Sequence, residues 1–218
     1  MKAFDRNALP HTPDFAFETA LWSAGLQIVA GIDEAGRGAL AGPVAAAAIV
    51  LPPNLQLCQS LIGIRDSKQL NPSKREYWAI RLREKSTGYG VGFASHDEID
   101  VMGIVPATRL AIYRAVSGLS ISPQHLLVDF IALPELPIPQ TCLVKGDARC
   151  MSIAAASILA KTARDEHMRK ADLIYPGYGF AKHKGYGTMA HRQALVELGP
   201  SPIHRCTFRF KSLVLRQL

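Results

Sequence analysis

The sequence predicts one α/β domain built on a mixed β-sheet that is flanked by α-helices. The chain has 218 residues, of which 48% are hydrophobic, so it is long enough for one sizeable core but short for two domains. Apolar strand candidates alternate with helix candidates along the chain, which is typical of α/β domains. A glycine turn after the first strand candidate favours a hairpin, and a hairpin in such a domain makes the sheet mixed.

The individual elements follow from periodicity, caps and turn residues. Residues 41–51 are ambiguous, because a run of four alanines favours a helix while Val44, Ile49 and Val50 favour a strand. The glycine turn before this segment and the two prolines after it favour a buried hairpin strand. The other predicted strands are 26–33, 88–94, 125–130 and 141–144, and the predicted helices are 18–24, 72–86, 105–117 and 152–169.

No domain boundary is visible within residues 27–218, so we expect a single domain there, preceded by an N-terminal extension at residues 1–26. Charged residues in the extension argue against a signal peptide. The longest apolar run, residues 39–53, is shorter than the about 20 residues that a membrane helix needs. We therefore expect a cytoplasmic monomer without membrane contact, with four reduced and mostly buried cysteines.

The basic excess of the chain lies in its last quarter. Residues 161–218 hold 11 Lys or Arg and 4 Asp or Glu, whereas residues 1–160 hold 14 residues of each sign. A basic stretch of this kind attracts polyanions such as nucleic acids. An ordinary solvated surface explains the charge equally well, so the charge suggests a nucleic acid without establishing it.

Four carboxylates stand at or just after the ends of predicted strands. Asp33 and Glu34 meet the glycine turn, Asp129 ends another strand, and Asp147 follows a third. Clefts of open α/β sheets form outside strand ends, so these side chains are candidates for one site. Adjacent carboxylates cannot all stay ionised without a cation, and the hard cations Mg²⁺ and Mn²⁺ prefer oxygen ligands. Each carboxylate alone is also explained as a cap or turn residue, and spacing does not show that the four converge.

A dinucleotide-binding loop is the competing interpretation of the glycine turn. Gly36, Gly38 and Gly42 spell G-x-G-x-x-x-G after a strand, which partly matches a Rossmann turn. The spacing departs from G-x-G-x-x-G, and the preceding carboxylates of Asp33 and Glu34 would repel a pyrophosphate. We therefore discount a nucleotide-cofactor enzyme.

An ordered set of motifs resembles the ribonuclease HII family. The blocks stand in the family's order and span residues 31–205, which makes the resemblance specific. They are G-I-D-E-A-G-R-G (31–38), A-G-P-V-A-A-A-A-I-V-L (41–51), D-S-K-Q-L (66–70), K-G-D (145–147), S-I-A-A-A-S-I-L-A-K-T-A-R-D (152–165), H-K-G-Y-G-T (183–188) and G-P-S-P-I-H-R (199–205).

The resemblance implies a ribonuclease H-like catalytic domain with a helical C-terminal part and with residues 41–51 as a strand. It implies an endonuclease that hydrolyses the RNA strand of RNA/DNA hybrids and cuts 5′ of single ribonucleotides in duplex DNA. Two Mn²⁺ or Mg²⁺ ions would act in it, leaving 3′-hydroxyl and 5′-phosphate ends. The family's catalytic metal ligands map onto Asp33, Glu34, Asp129 and Asp147. Its loop that reads the ribose 2′-hydroxyl maps onto Gly36, Arg37 and Gly38, its sugar-stacking tyrosine onto Tyr186, and further substrate contacts onto Lys68, Lys182 and Lys184.

One departure from the family pattern concerns Phe130, which follows Asp129 where the family usually has glycine. A larger residue there could shift the loop that carries Asp129. Within the long helix, we expect Asp165 to pair with Arg169 at i+4. Two rival functions remain, a nucleic-acid-binding protein that has lost its chemistry and a two-metal nuclease of the same fold that cuts DNA.

Overall fold

A computed structural model describes residues 10, 12–61, 63–64 and 70–208 of the chain. Its strands are β1 (Val29–Ala35), β2 (Val44–Val50), β3 (Gly88–Ala94), β4 (His125–Asp129) and β5 (Gln140–Leu143). They form a sheet in the order β3-β2-β1-β4-β5. β2 pairs antiparallel with β1 and β3, whereas β4 pairs parallel with β1 and β5, so the predicted mixed sheet is confirmed.

The helices are α1 (Ala16–Ser23), α2 (Leu55–Ser60), α3 (Pro72–Lys85), α4 (His96–Met102), α5 (Ile104–Ser117), α6 (Met151–Ile174), α7 (Phe180–His183) and α8 (Met189–Leu198). α3 begins as predicted, because the Asn71 side chain accepts a hydrogen bond from the Lys74 amide over 2.9 Å. The sequence prediction omitted α4, although Ser95 and Glu98 form a capping box at its start.

β2 resolves the ambiguity of residues 41–51 in favour of a strand. All seven of its residues are buried, because α5 covers one face of the sheet and α6 covers the other. Alanine side chains let both helices approach the sheet closely. A composition that locally favours a helix therefore serves a strand that is buried on both faces.

Gly31 in β1 lets the first turn of α6 lie directly against the sheet. A Cβ atom at Gly31 would lie only 2.2 Å from the carbonyl carbon of Ser152. The alanines that follow at residues 154–156 are fully buried against the same layer. This close approach brings α6 alongside the second half of β1, where Asp33 lies.

α1 lies within the expected N-terminal extension and packs on the sheet beside α6. Glu18 of α1 is buried, and its carboxylate accepts a hydrogen bond from the Ser152 amide over 2.7 Å. Burial raises the pKa of Glu18, and this bond partly offsets the rise. Residues 16–23 therefore help to hold the start of α6.

None of the helices in the described part of the chain has the length and apolar character needed to cross a membrane. Cys142, Cys150 and Cys206 are free thiols, and of these three Cys150 is buried while the other two are exposed. The expectation of a buried cysteine is therefore confirmed for Cys150 and wrong for Cys142 and Cys206.

Candidate active site

Two carboxylates lie at the same level on neighbouring strands. β1 and β4 run parallel with Ile32 paired to Val128, and Asp33 and Asp129 are the next residues on each strand. The side chains of Ile32 and Val128 pack in the hydrophobic cluster that also contains the buried residues of α5. Because side chains alternate along a strand, Asp33 and Asp129 are turned toward the face covered by α6.

Asp33 is buried among other acidic groups. Burial, followed by the negative charges of Glu34 and Asp129, raises the pKa of Asp33 well above its ordinary value. Hydrogen bonds from the Ser157 side chain and from the Glu34 amide, the latter over 2.7 Å, partly offset this rise. Glu34 in turn forms an ion pair of 3.1 Å with Arg37. Three of the predicted carboxylates are therefore close enough to interact electrostatically.

A short turn attaches the fourth carboxylate to the third. The Gly146 amide donates a hydrogen bond to Oδ1 of Asp129 over 2.8 Å. Gly146 begins a one-turn 3-10 helix that ends at Ala148, and Asp147 is its buried middle residue. Asp147 therefore follows directly on a residue that is bound to Asp129.

Phe130 follows Asp129 in a backbone conformation that favours glycine. Its φ is +61° and the residue is 67% exposed. The Phe130 amide donates to the Leu143 carbonyl over 3.0 Å, so this turn stays attached to β5. Phe130, which stands where the family usually has glycine, thus adopts a left-handed conformation. Asp129 still ends β4.

The donor set of Asp33, Glu34, Asp129 and Asp147 suits a hard divalent cation. It consists of carboxylate oxygens, which Mg²⁺ and Mn²⁺ prefer. A cation between them would relieve the repulsion that raises the pKa of Asp33. Among the residues that the structure describes, no three His, Cys, Asp or Glu side chains are already gathered as a metal-binding group. The fit therefore rests on donor chemistry and on the places of these residues on neighbouring elements.

A cleft of about 540 Å³ opens beside Glu34, the one of these four carboxylates that lines it. It brings together the predicted glycine loop, the predicted tyrosine and two residues of α6. Its lining residues are Glu34, Ala35, Gly36, Arg37, Gly38, Arg75, Ser157, Lys161 and Tyr186. A smaller cavity of about 310 Å³ between α5 and the segment after β4 contains none of the predicted site residues.

The glycine loop has two different reasons for its glycines. Gly36 has a φ of +95°, and a Cβ atom there would lie 1.8 Å from Nε of Arg164. Gly38 has open space where its Cβ atom would be. Glycine is thus required at Gly36 by conformation and packing, whereas at Gly38 it leaves room in the cleft.

Tyr186 lies beneath two cations of α6. The Lys161 ammonium lies 5.7 Å and the Arg164 guanidinium carbon 5.3 Å from the centroid of its ring. Lys182 is exposed on α7, and Lys184 is half-buried, which lowers the pKa of Lys184. Of the predicted residues in this segment, Tyr186 lines the cleft, while Lys182 and Lys184 lie outside its lining.

Asp165 pairs with other cations than the one predicted. Its carboxylate binds the Lys161 ammonium over 2.6 Å and the Arg75 guanidinium over 3.1 Å. Arg169 instead pairs with Glu76 over 2.9 Å. The predicted pairing of Asp165 with Arg169 is wrong, because the packing of α3 on α6 brings Arg75 to the buried side of the helix.

Sequence reasoning also missed three arginines. Arg75 lines the cleft, and Arg164 and Arg205 are fully buried beneath the glycine loop. In the sequence, the last two are simply part of the basic stretch, and nothing local signals that a guanidinium is buried. The predicted substrate contact Lys68 lies outside the described residues.

Comparison with known proteins agrees with this architecture. A sequence model of the family described as ribonuclease HII matches residues 30–211. A ribonuclease HII of Dehalococcoides mccartyi is 50% identical over 196 residues, which are 90% of this chain and 92% of that protein. The crystal structure of the ribonuclease H2 from Pyrococcus horikoshii OT3 has a TM-score of 0.70 at 28% identity, covering 83% of this chain and 93% of that one. Bst-RNase HIII in complex with Mn²⁺ has a TM-score of 0.58 at 20% identity over 83% of this chain and 66% of that one, and it shows the fold alone.

The structural likeness confirms the ribonuclease H-like fold class. The sequence matches confirm the expected class of enzyme, a metal-dependent endonuclease that hydrolyses phosphodiester bonds. The family model and the Dehalococcoides mccartyi relative each match most of the length of this chain. The chain therefore belongs to the ribonuclease HII family.

Proposed function

We propose that the enzyme cuts the RNA strand of RNA/DNA hybrids and also cuts on the 5′ side of a single ribonucleotide in duplex DNA. Membership of the family supports ribonuclease H activity on hybrids. The observation that carries the finer proposal is the shared cleft of residues 36–38, Glu34 and Tyr186. Recognition of a single ribose requires the group that reads its hydroxyl to lie near the hydrolytic site, and the presence of Glu34 in the same cleft supports such an arrangement.

Asp33, Glu34, Asp129 and Asp147 are the proposed ligands of two divalent cations. Such ions, when bound, activate the attacking water and stabilise the leaving 3′-oxygen, which leaves 3′-hydroxyl and 5′-phosphate ends. The chain's own contribution is to hold the ligands in place. The Gly146 amide orients Asp129. The hydroxyl group of Ser157 on α6 orients Asp33 in the same way.

Residues 36–38 are proposed to read the 2′-hydroxyl, the group that distinguishes RNA from DNA at a given position. The open space at Gly38 lets backbone groups approach a sugar closely. Arg37 is bound to Glu34 and partly exposed, so its guanidinium has donors to offer to a phosphate. Tyr186 is proposed to stack on the neighbouring sugar, with its ring held by the cations of α6.

The lysines are proposed to contact the nucleic-acid backbone outside the cleft. Lys182 is exposed and can approach a phosphate freely. The Lys184 ammonium donates to the Ala181 carbonyl, so a phosphate would have to share this donor group. Lys68 keeps this proposed role on the family resemblance alone.

Cleavage of a labelled DNA duplex that carries one ribonucleotide tests the proposal. We expect one cut on the 5′ side of the ribonucleotide with Mn²⁺ or Mg²⁺, and no cut in EDTA or in an all-DNA duplex. Asp33→Asn should abolish the cut, whereas the control Asp97→Asn, whose side chain is 81% exposed on α4, should retain it. Equal cutting of all-DNA would indicate a DNA nuclease. Binding without cleavage would indicate a protein that has lost its chemistry.

A further inference from the structure

The loop of residues 36–43 is held from inside the protein by Arg205. This arginine is fully buried, and its three guanidinium nitrogens all donate to backbone carbonyls. Nε binds the carbonyl of Gly42 over 2.9 Å, Nη1 that of Arg37 over 2.8 Å and Nη2 that of Gly36 over 2.7 Å. Because hydrogen bonds from a charged donor are stronger than neutral ones, both ends of the loop are held firmly.

Arg164 binds the same loop from α6 and is also fully buried. Its Nε binds the carbonyl of Pro43 over 2.8 Å, and its Nη2 binds that of Ala41 over 3.2 Å. Its Nη1 binds the carbonyl of Lys184 over 2.9 Å. The same guanidinium lies against the ring of Tyr186. Arg164 therefore connects the glycine loop to the segment that carries the tyrosine.

Burial of the Arg164 and Arg205 guanidinium groups carries a large cost in free energy. Burial, followed by the nearby charge of Arg164, lowers the pKa of Arg205 to about 9, which leaves the side chain cationic at neutral pH. A buried cation loses its hydration, and apolar packing would cover the loop at lower cost. What an arginine adds is the planar fork of donors that fixes the direction of several carbonyls at once.

The direction of these carbonyls determines where the loop amides point. In a trans peptide the C=O and the N–H of one plane point to opposite sides, and the described residues contain no cis peptide bond. Arg205 draws the Gly36 carbonyl inward, so the Arg37 amide of the same plane points outward. It draws the Arg37 carbonyl inward, so the Gly38 amide points outward as well. Both amides belong to residues that line the cleft.

We infer that Arg205 is a specificity-determining positioning residue, which holds the amides of Arg37 and Gly38 where the 2′-hydroxyl of the substrate binds. Arg164 keeps the loop that carries these amides at a fixed position relative to Tyr186. The inference rests on the proposed function, in which residues 36–38 read the ribose. Loss of Arg205 therefore reduces the preference for a ribose over a sugar without the hydroxyl. An arginine with only a structural role would affect both sugars alike.

The test is a competition between two duplexes in one tube, labelled with different fluorophores. One carries a single ribonucleotide, and the other carries a 2′-deoxy-2′-fluoro nucleotide at the same position, whose fluorine is a much poorer acceptor for the loop amides than the hydroxyl oxygen. The ratio of the two kcat/KM values does not depend on the fraction of enzyme that is folded, so a partly unfolded variant still gives a valid result. We expect Arg205→Lys to lower this ratio by about tenfold, as for the loss of a well-placed hydrogen bond.

Arg114→Lys is the matched control, because Arg114 also donates to a backbone carbonyl, that of Phe93, over 2.7 Å on the opposite side of the sheet. It should keep the wild-type ratio. An unchanged ratio in Arg205→Lys, or an equal loss on both duplexes, would overturn the inference. A wild-type enzyme without preference for the ribonucleotide would instead overturn the proposed function. If Arg205→Lys does not fold, Arg164→Lys is expected to lower the ratio, and an unchanged ratio there is equally decisive against the inference.

Discussion

Gly146 donates its amide hydrogen to the carboxylate of Asp129 over 2.8 Å, and this bond ties the turn that carries Asp147 to the end of β4. A side chain at Gly146 would crowd two neighbouring side chains. A Cβ atom there would lie 2.6 Å from Cδ1 of Ile153 and 3.3 Å from Oδ1 of Asp129. The placement of two proposed metal ligands therefore depends on a residue without a side chain.

Gly146→Ala is expected to lower kcat/KM on an RNA/DNA hybrid by about 10- to 100-fold, because small displacements of reacting groups are costly. Overpacking should also reduce the free energy of unfolding by about 1–3 kcal/mol, measured by urea denaturation. Adding Ile153→Val, which removes the crowding Cδ1 atom, should restore much of both losses. Ile153→Val alone is the control. Absence of any rescue would show that crowding by Ile153 is not the cause.

Asp33→Asn is expected to separate metal binding from fold stability. In EDTA the variant should unfold at a higher temperature than the wild type, because it removes a buried charge next to Glu34 and Asp129. Mn²⁺ or Mg²⁺ should raise the unfolding temperature of the wild type but not of the variant, since a ligand stabilises only a state that binds it. Calorimetry measures both effects, with Asp97→Asn as control. A metal response in Asp33→Asn equal to that of the wild type would remove Asp33 from the ligand set.

Phe130→Gly is expected to stabilise the protein by about 1 kcal/mol, since glycine adopts a positive φ without the steric cost of a Cβ atom. Little packing is lost, because the residue is 67% exposed. Chemical denaturation measures the gain. Phe130→Ala keeps the Cβ atom and should give no comparable gain. If both variants gained equally, exposure of the ring rather than its backbone conformation would be responsible.

We expect His191 to make the stability of the protein depend on pH. It is fully buried, its Nδ1 lies 3.1 Å from the Tyr186 carbonyl, and its Nε2 lies 3.0 Å from Nε2 of His204. The ring of His183 stacks on it with centroids 4.3 Å apart. Burial is the main reason that the pKa of His191 falls from 6.5 to about 4.

Because this folded-state pKa lies below the unfolded one, the unfolded chain takes up the proton first as the pH falls. The contribution of His191 to stability is therefore complete above pH 6.5 and is lost progressively down to about pH 4. His191→Gln cannot titrate, so its free energy of unfolding should fall less steeply across this window. Urea denaturation at several pH values compares the two proteins, in which all other groups are shared. If the free energy of unfolding changed equally steeply with pH in both proteins, the lowered pKa of His191 would be contradicted.

Features that depend on nearby residues were predictable. The Asn71 cap and the start of α3 follow from side chains within one turn. The strands that end at Asp33 and Asp129 follow from apolar runs and turn residues. α4 was missed even though its capping box involves only Ser95 and Glu98, so this omission was a failure to use a local signal.

The sequence by itself determined the fold class, the order of most elements and, through its ordered motifs, the family. Only the tertiary structure decided that Asp33 and Asp129 stand side by side, because parallel strands pair through residues far apart in the chain. It also decided that Asp165 binds Arg75 and that Arg205 lies beneath the glycine loop. The physical reason is common to these cases. Strand pairing and the removal of a charged side chain from water depend on the whole packed chain, and no local pattern of residues encodes them.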